Sequence, residues 1–403
     1  MSALRLITER SGSMAALLAG SLALIGAAAV ALTSAAAQNA GREAPQHIFF
    51  TIATGSTAGT YFPVGEAFAA IISHPAGSVR CERVGICGPT GLIAVAQASE
   101  GSVRNVALVT EGRTSSAFAQ ADIVHRAVAA AEAKAKADAK AGRETAADPF
   151  LNLRAMASLY PESLHLVASV GSGISELADL RGKRISIDRP GSGTNTNARL
   201  VLKAVGLKDS DVTLSFLDTD EATEQMLFGA IDAYFLMAGA PVRTVGELAA
   251  LNVVTLVPIE GPGIDKLLAA EPYLTAGRIA EGTYSALPAV ATLDVRAVWL
   301  VRKDADADLV HDIVRAVFAP GNRVMLDASH PAAADIRPET ATLGAPVPLH
   351  PGAERYFREA GFLGAGTGGT LPQAQDAIDA VVPVAKPAAA EGTIAAPRAT
   401  PRS

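Results

Sequence analysis

The stretch DRPGSGTNTNARLV, Asp188 to Val201, limits the fold more than any other part of the chain. It follows GKRISI, an alternating apolar run, and leads to Ala198, Val201, Leu202 and Val205 at helical spacing, with Gly206 placed to stop the helix. Strand, glycine loop and helix start form the repeating unit of sheets covered by helices. The free N–H groups and positive dipole end at such a start bind anions, and glycines let an oxygen approach the backbone closely. A Walker loop would need Gly-Lys-Ser/Thr, whereas Thr194 is followed by Asn195. A nucleophile elbow needs Gly-x-Ser-x-Gly, and Ser192 has glycine directly on both sides. Two readings stay open on the residues alone: a carboxylate seat, or a tight turn with Ser192 or Thr194 as helix cap.

The same unit recurs along the chain. Phe49 to Ala53 reads as a strand, TGSTAGTYFPVG as its loop, and Val64, Ala67, Phe68, Ile71 and Ile72 as one apolar helix face, with Pro63 suited to the first turn. A second helix starts near Ser102, and the strand SSAFAQ ends at Gln120. RAMASLYPESLHLVASV is long enough for one strand to run out of one domain into the next. Beyond it come the strands of KRISI, DVTLSFLD and Asp232 to Leu236, a helix around Gln225 to Phe228, a return through TLDVRAVWLVRKD and a helix at Leu309 to Phe318. The pattern predicts an α/β fold of two lobes with glycine loops facing a cleft at strand ends. The segment His125 to Pro149 is almost all alanine and charge, and predicts an exposed helix with no part in the site.

Arg5 and Arg10 precede an apolar run, Met14 to Leu32, that closes on Ser34-Ala35-Ala36-Ala37-Gln38. This is the pattern of a secretory signal peptide over residues 1–37, which predicts a periplasmic mature chain of about 365 residues. In that compartment Cys81 and Cys87 are close enough to form a structural disulfide, with a pair of free thiols as the alternative. The Ala/Pro-rich end of the chain, over 376–403, predicts a disordered tail.

Composition and motifs exclude other classes. The formal net charge is −6 with scattered lysines and arginines, which argues against nucleic acid as a partner. Aromatic residues make up 5%, too few for a stacking platform. The seven histidines include no compact partner for Ser192; His165 and Trp299 sit in apolar runs and predict core positions. No HExxH or EF-hand loop is present, so no enzyme, cofactor or metal is expected, and a secreted hydrolase is the minor alternative.

The motifs ATGSTAGTYFPVG, GLIAVAQASEGSVRNV, SSAFAQAD, LYPESLHLV, ADLRGKRISI, PGSGT, GAIDAYFLMAGAP and LHPGAERYFREAG run in order from about Phe49 to Gly361. Together they resemble TAXI-type solute receptors of tripartite ATP-independent periplasmic (TRAP) transporters. The resemblance implies a two-lobed, type II-like periplasmic-binding-protein fold with crossing strands at its hinge. Lobe one would span 46–163 and lobe two 164–290, and the chain would return to lobe one over 291–375. The implied role is capture of a small organic anion or amino acid (an organic acid, a dicarboxylate or a glutamate-like compound) and its delivery, as a monomer, to TRAP membrane subunits. Ligand contacts carry over to Gly55, Ser56, Thr60, Tyr61 and Gln120 on one lobe and to Ser192, Gly193 and Thr194 on the other. Arg189 beside the loop is a further candidate for an anion, and Glu162 for a ligand amino group. The same fold would also serve a sensing receptor for a signalling partner.

Overall fold

The computed structural model describes residues 47–75, 77–78, 81, 87–143 and 146–363. The expected leader and Ala/Pro tail lie outside them. The described residues from Phe49 to Leu363 form one compact unit.

Its frame is a mixed sheet in which ten strands are described, ordered β2-β1-β3-β10-β4-β7-β5-β6, with β8 added to β4 and β9 to β10. The first group is β1 (Ile48–Ala53), β2 (Leu92–Gln97) and β3 (Ser116–Gln120), followed by the long β4 (Leu153–Ser169). β5 (Arg184–Ser186), β6 (Thr213–Ser215), β7 (Ala233–Ala238), β8 (Val254–Leu256), β9 (Thr275–Ile279) and the long β10 (Val290–Arg302) complete it. β1 and β3 are parallel, as are β5, β6 and β7, so each group needs crossover helices to cover its faces.

β4 and β10 are antiparallel to each other and join the two groups. β10 pairs with β3 from Ala297↔Gln120 to Val301↔Ser116 and with β9 through its first half. β4 pairs with β7 from Ser163↔Ala238 to Ala168↔Ala233. At ~3.3 Å per residue, the 17 residues of β4 span about 55 Å. Its near-continuous apolar sequence suits a strand buried on both faces. Pro161 falls where the register with β10 shifts, between Arg296↔Pro161 and Val298↔Ser158. A proline donates nothing to the ladder, and the shift leaves carbonyls unpaired. Arg296 compensates, donating from Nη2 to the Leu159 carbonyl at 3.0 Å and from Nε to Ser158 Oγ at 2.8 Å.

The helices on the β1–β3 side are α1 (Tyr61–Ile72), α2 (Ser102–Thr110) and α3 (Ala121–Lys140). On the other side they are α4 (Gly193–Ala204), α5 (Thr219–Leu227), α6 (Arg243–Ala250) and α7 (Pro262–Ala270); α8 (Ala307–Val317), α9 (Arg323–Ser329) and α10 (Pro351–Glu359) follow β10. The face expected on α1 is buried, from Val64 to Ile72. α5 starts two turns earlier than its apolar spacing suggests, because Asp218 and Glu221 form a capping box: each carboxylate accepts the other residue's N–H at 3.0 Å. α3 is the helix expected from His125 onward, but it begins at Ala121 and its first turn is buried. The remainder from Glu132 is mostly exposed, as alanine and charge dictate. Cys81 and Cys87 are joined as a disulfide.

Two cores flank the long strands. Trp299 lies edge-on to Phe68 (centroids 4.9 Å apart), which packs edge-on to Phe118, and Phe118 meets Tyr61. Edge-to-face pairs of this kind add to the area they bury. The other core gathers Val167, Met226, Tyr234, Leu236, Val245, Leu248 and Tyr284. His165 sits in it fully buried: Nδ1 faces the Ser163 and Leu236 carbonyls, and Nε2 meets the Tyr284 hydroxyl at 2.8 Å. That hydroxyl oxygen accepts the Val242 N–H. Burial holds the imidazole neutral, down to about 4, so His165 is the satisfied core residue its apolar surroundings indicate.

Trp299 donates its indole N–H to Ser116 Oγ at 3.0 Å with no exposure to solvent. Ser116→Ala leaves that donor unpaired and is expected to lower stability by about 1–3 kcal/mol. Urea unfolding followed by the fluorescence of this single tryptophan should show an earlier midpoint at unchanged slope; an unchanged midpoint would contradict the pairing.

Candidate functional site

The loops that follow β1, β2, β5 and β6 end in helix starts, and the sequence sets each of them. Thr60 precedes α1, with Pro63 at its third position. Gly101 precedes α2 at φ 113°, a conformation open to glycine. Ser192 caps α4, its Oγ accepting the Asn195 N–H at 3.0 Å. Asp218 caps α5. Asn105, buried on α2, ties three of the strands together: Nδ2 donates to the carbonyls of Thr54 and Phe118, and Oδ1 accepts from Ser99.

These starts converge on a cavity of about 550 Å³. Tyr61 of α1, Ser102 of α2, Gly193 and Thr194 of α4, and Thr219 and Asp220 of α5 all contribute to its wall. Each helix start leaves N–H groups outside its ladder and carries roughly half a positive charge, and Glu100, Glu162, Asp188, Asp218 and Asp220 line the same cavity. All ten ligand-contact candidates named from the sequence line this one cavity: Gly55, Ser56, Thr60, Tyr61, Gln120, Glu162, Arg189, Ser192, Gly193 and Thr194.

The two sides of the cavity touch through glycines. The Gly191 carbonyl accepts the Arg104 N–H of α2 at 3.0 Å. A Cβ on Gly191 would come within 2.8 Å of Glu100 Cβ, and one on Gly193 within 2.2 Å of Gln120 Oε1. Only glycine permits this approach. At the back, Thr60 Oγ1 donates to the Gly239 carbonyl at 3.0 Å. Beside the cavity, Asn197 of α4 donates to Asp122 of α3 at 2.9 Å, Arg126 pairs with Glu271 at 2.6 Å, and the His125 ring lies 4.8 Å from Tyr273. The first turns of α3 therefore bridge the two sides, in contrast to the passive excursion expected over His125 to Pro149.

Several of the hydroxyls already have partners within the protein. Tyr61 donates to Glu162 Oε2 at 2.6 Å. Thr194 Oγ1 accepts the Met237 N–H at 3.0 Å, and the Ser192 and Thr194 hydroxyls engage the Asp188 carboxyl. Arg189 is half-exposed and held by Asp218 and Glu221 at 2.9 and 3.0 Å. Sequence reading missed Asp188, Gly101, Ser102 and Asp218 to Asp220 as wall residues. Their signals were present: the acid stands directly before PGSGT, and Gly101-Ser102 and Asp218-x-x-Glu221 are helix starts in their own right.

Asp188 has a positive φ of 63°, a backbone well that disfavours most residues but that Asp and Asn tolerate. Its carboxylate accepts the Arg189 N–H at 2.7 Å. Burial pushes its pKa up to about 6. Glu162 is 2% exposed, and burial pushes it up to about 8 against the opposing pull of Tyr61, with Asp122 adding like charge. Among the described residues, no group of three or more His, Cys, Asp or Glu side chains could hold a metal ion. No described helix is long and apolar enough to cross a membrane.

A mixed α/β frame with a cavity at its strand ends is the class that this geometry defines. A model of the NMT1-like family matches residues 52–361, and the chain belongs to that family. Among solved structures it is similar to a protein of Bordetella bronchiseptica RB50, with 18% identity, 85% of this chain and 92% of that one covered, and a TM-score of 0.45. It is also similar to the periplasmic aliphatic sulphonate binding protein SsuA of Escherichia coli (11% identity, 70% and 79% covered, TM-score 0.38). A TctC solute binding protein from Polaromonas matches with 15% identity, 71% and 90% covered, and a TM-score of 0.39.

A buried carboxyl with a raised pKa favours the folded state only while it stays protonated. For Glu162 that contribution is complete below its ordinary value of 4.5 and is lost as pH rises through about 8. Asp122 and Asp188, each raised to about 6, lose theirs at lower pH, so the window from pH 6.5 to 8.5 isolates Glu162. Glu162→Gln keeps an acceptor for Tyr61 and is expected to flatten the fall of the urea midpoint across that window. A wild-type midpoint that does not fall between pH 6.5 and 8.5 would contradict the assignment.

Proposed function

We propose that the protein captures a small carboxylate-bearing solute in the periplasm and delivers it to a TRAP-type membrane transporter, as the resemblance to TAXI receptors implies. The observation that carries this reading is the convergence of four helix starts on one cavity at the strand ends. Membership of the NMT1-like family agrees with it. In this reading the solute carboxylate lies on the first N–H groups of α4, at Gly193 and Thr194, and meets Ser56 and the loop around Gly55 from the other side. The long strands β4 and β10 act as the hinge between a lobe built on β1–β3 and a lobe built on β5–β7. Closure brings PGSGT against α2, the contact made by Arg104 and Gly191.

Hydroxyl deletion is a poor probe here, because Thr194 Oγ1 also satisfies the buried Met237 N–H and its loss would disturb the fold. Gly193→Ala is cleaner. Its methyl would collide with the buried Gln120 amide only when the two sides meet. In thermal-shift titrations, a carboxylate solute at ~100 times its Kd should stabilise the wild type by about 2.7 kcal/mol. Gly193→Ala should fold and lose at least about tenfold in affinity, or ~1.4 kcal/mol. Undiminished binding by this variant would reject the site.

A further inference from the structure

We propose that the start of α3 is a latch that holds the two walls of the cavity together from outside it. This goes beyond the capture reading and rests on the β4–β10 hinge that reading assumes. Asp122, His125 and Arg126 stand at i, i+3 and i+4, so they share one side of the helix. Ile123, Val124 and Ala131 are buried, and α3 packs on α2, β3 and β10. Its polar side faces the other lobe. Asn197 Nδ2 of α4 donates to Asp122 Oδ2 at 2.9 Å, Arg126 pairs with Glu271 at 2.6 Å, and the His125 ring lies 4.8 Å from Tyr273. Glu271 and Tyr273 lie between α7, which packs on α4, and β9. None of these six residues lines the cavity.

The latch is geared to the cavity through the chain itself. Asp122 follows Gln120 on one wall, and Asn197 stands one helical turn beyond Gly193 on the other. Gln120 and Gly193 face each other so closely that a Cβ on the glycine would collide with the amide. Engaging the latch therefore brings those two wall residues together. Its chemistry is that of a contact that opens. Permanent cores satisfy their buried polar atoms, whereas Asn197 Oδ1 and Arg126 Nε are buried with no hydrogen-bond partner among the described residues. Water meets both when the walls part. Closure also desolvates Asp122, and burial pushes its pKa up to about 6 against the pull of Asn197 and Arg126. Desolvation thus offsets much of what the ion pair and the hydrogen bond contribute, and the walls are held without being locked. Interfaces between the domains of one chain have this polar character, and motion across them is the default.

Small-angle X-ray scattering of the protein at pH 8, with no solute added, tests this. Arg126→Glu sets like charge against Glu271, and Asn197→Asp sets a carboxylate against Asp122. Each variant is expected to show a larger radius of gyration than the wild type with an unchanged circular dichroism spectrum, because the polar surfaces separate and both cores stay intact. The double reversal Arg126→Glu/Glu271→Arg should return the radius to the wild-type value. Wild-type dimensions in both single variants would overturn the inference, and so would loss of fold in both, since α3 would then be a fixed part of one core. Expansion that persists in the double reversal would overturn the assignment of the latch to this ion pair. No solute enters the measurement, so a failed latch leaves the capture reading standing, and a failed capture titration leaves the latch standing.

Discussion

The antiparallel pairing of β4 with β10 is the constraint on which everything else hangs. Through it the β1–β3 group and the β5–β7 group become parts of one sheet, with Arg302↔Leu153 at one end of the pairing and Asp294↔Ser163 at the other. The site depends on this pairing in two ways. Gln120 is held at the end of β3 by its register with Ala297 of β10, and Glu162 sits on β4 at the register shift beside Pro161. The irregularity in the ladder and the acidic wall of the cavity therefore share a few residues. Arg296 spends its guanidinium on the Leu159 carbonyl and the Ser158 hydroxyl there, and it is not a counter-ion for Glu162.

The electrostatics of the cavity follow from what folding leaves unpaired. Helix starts must present N–H groups somewhere, and four of them present theirs here. Glu162, Asp188 and the Gln120 side chain line the same cavity, and among the described residues none of the three is paired with a basic side chain. In water such groups would be neutral to stability, but desolvation makes each of them a demand for a partner. A bound solute that answers the demand gains more than the same contacts would give on an open surface. The glycines at 101, 191 and 193 contribute differently, by letting the two walls approach until the backbone of one bonds the backbone of the other.

Much of this was legible in the sequence where the signal was local. The strand, PGSGT loop and helix after Asp188 were plain because alternation, glycine and helical spacing occur within twenty residues. The same holds for Phe49 to Ile72 and for the long run that became β4. Cys81 and Cys87 were readable as a pair because they are near in the chain. What stayed hidden was long-range. Thr60 was read as a donor to ligand, but its hydroxyl reaches the Gly239 carbonyl, 179 positions away. Tyr61 and Glu162, both named as candidates, gave no sign that each would be the other's partner across 101 positions. The early start of α5 was a different kind of miss, since Asp218 and Glu221 have the spacing of a capping box and only the apolar face was weighed. The reading of His125 to Pro149 as an exposed helix suits most of α3, but composition concealed His125 and Arg126 at its start, whose partners lie beyond β4.

The central claim is that two walls meet around one solute whose carboxylate lies on the helix starts. A crystal structure of the protein saturated with the tightest-binding carboxylate solute tests this most directly. The account predicts the solute carboxylate within hydrogen-bond distance of the Gly193 and Thr194 N–H groups and in contact with the loop around Gly55 and Ser56. A solute bound outside the cavity, or one lying with its carboxylate against Glu162, would contradict it.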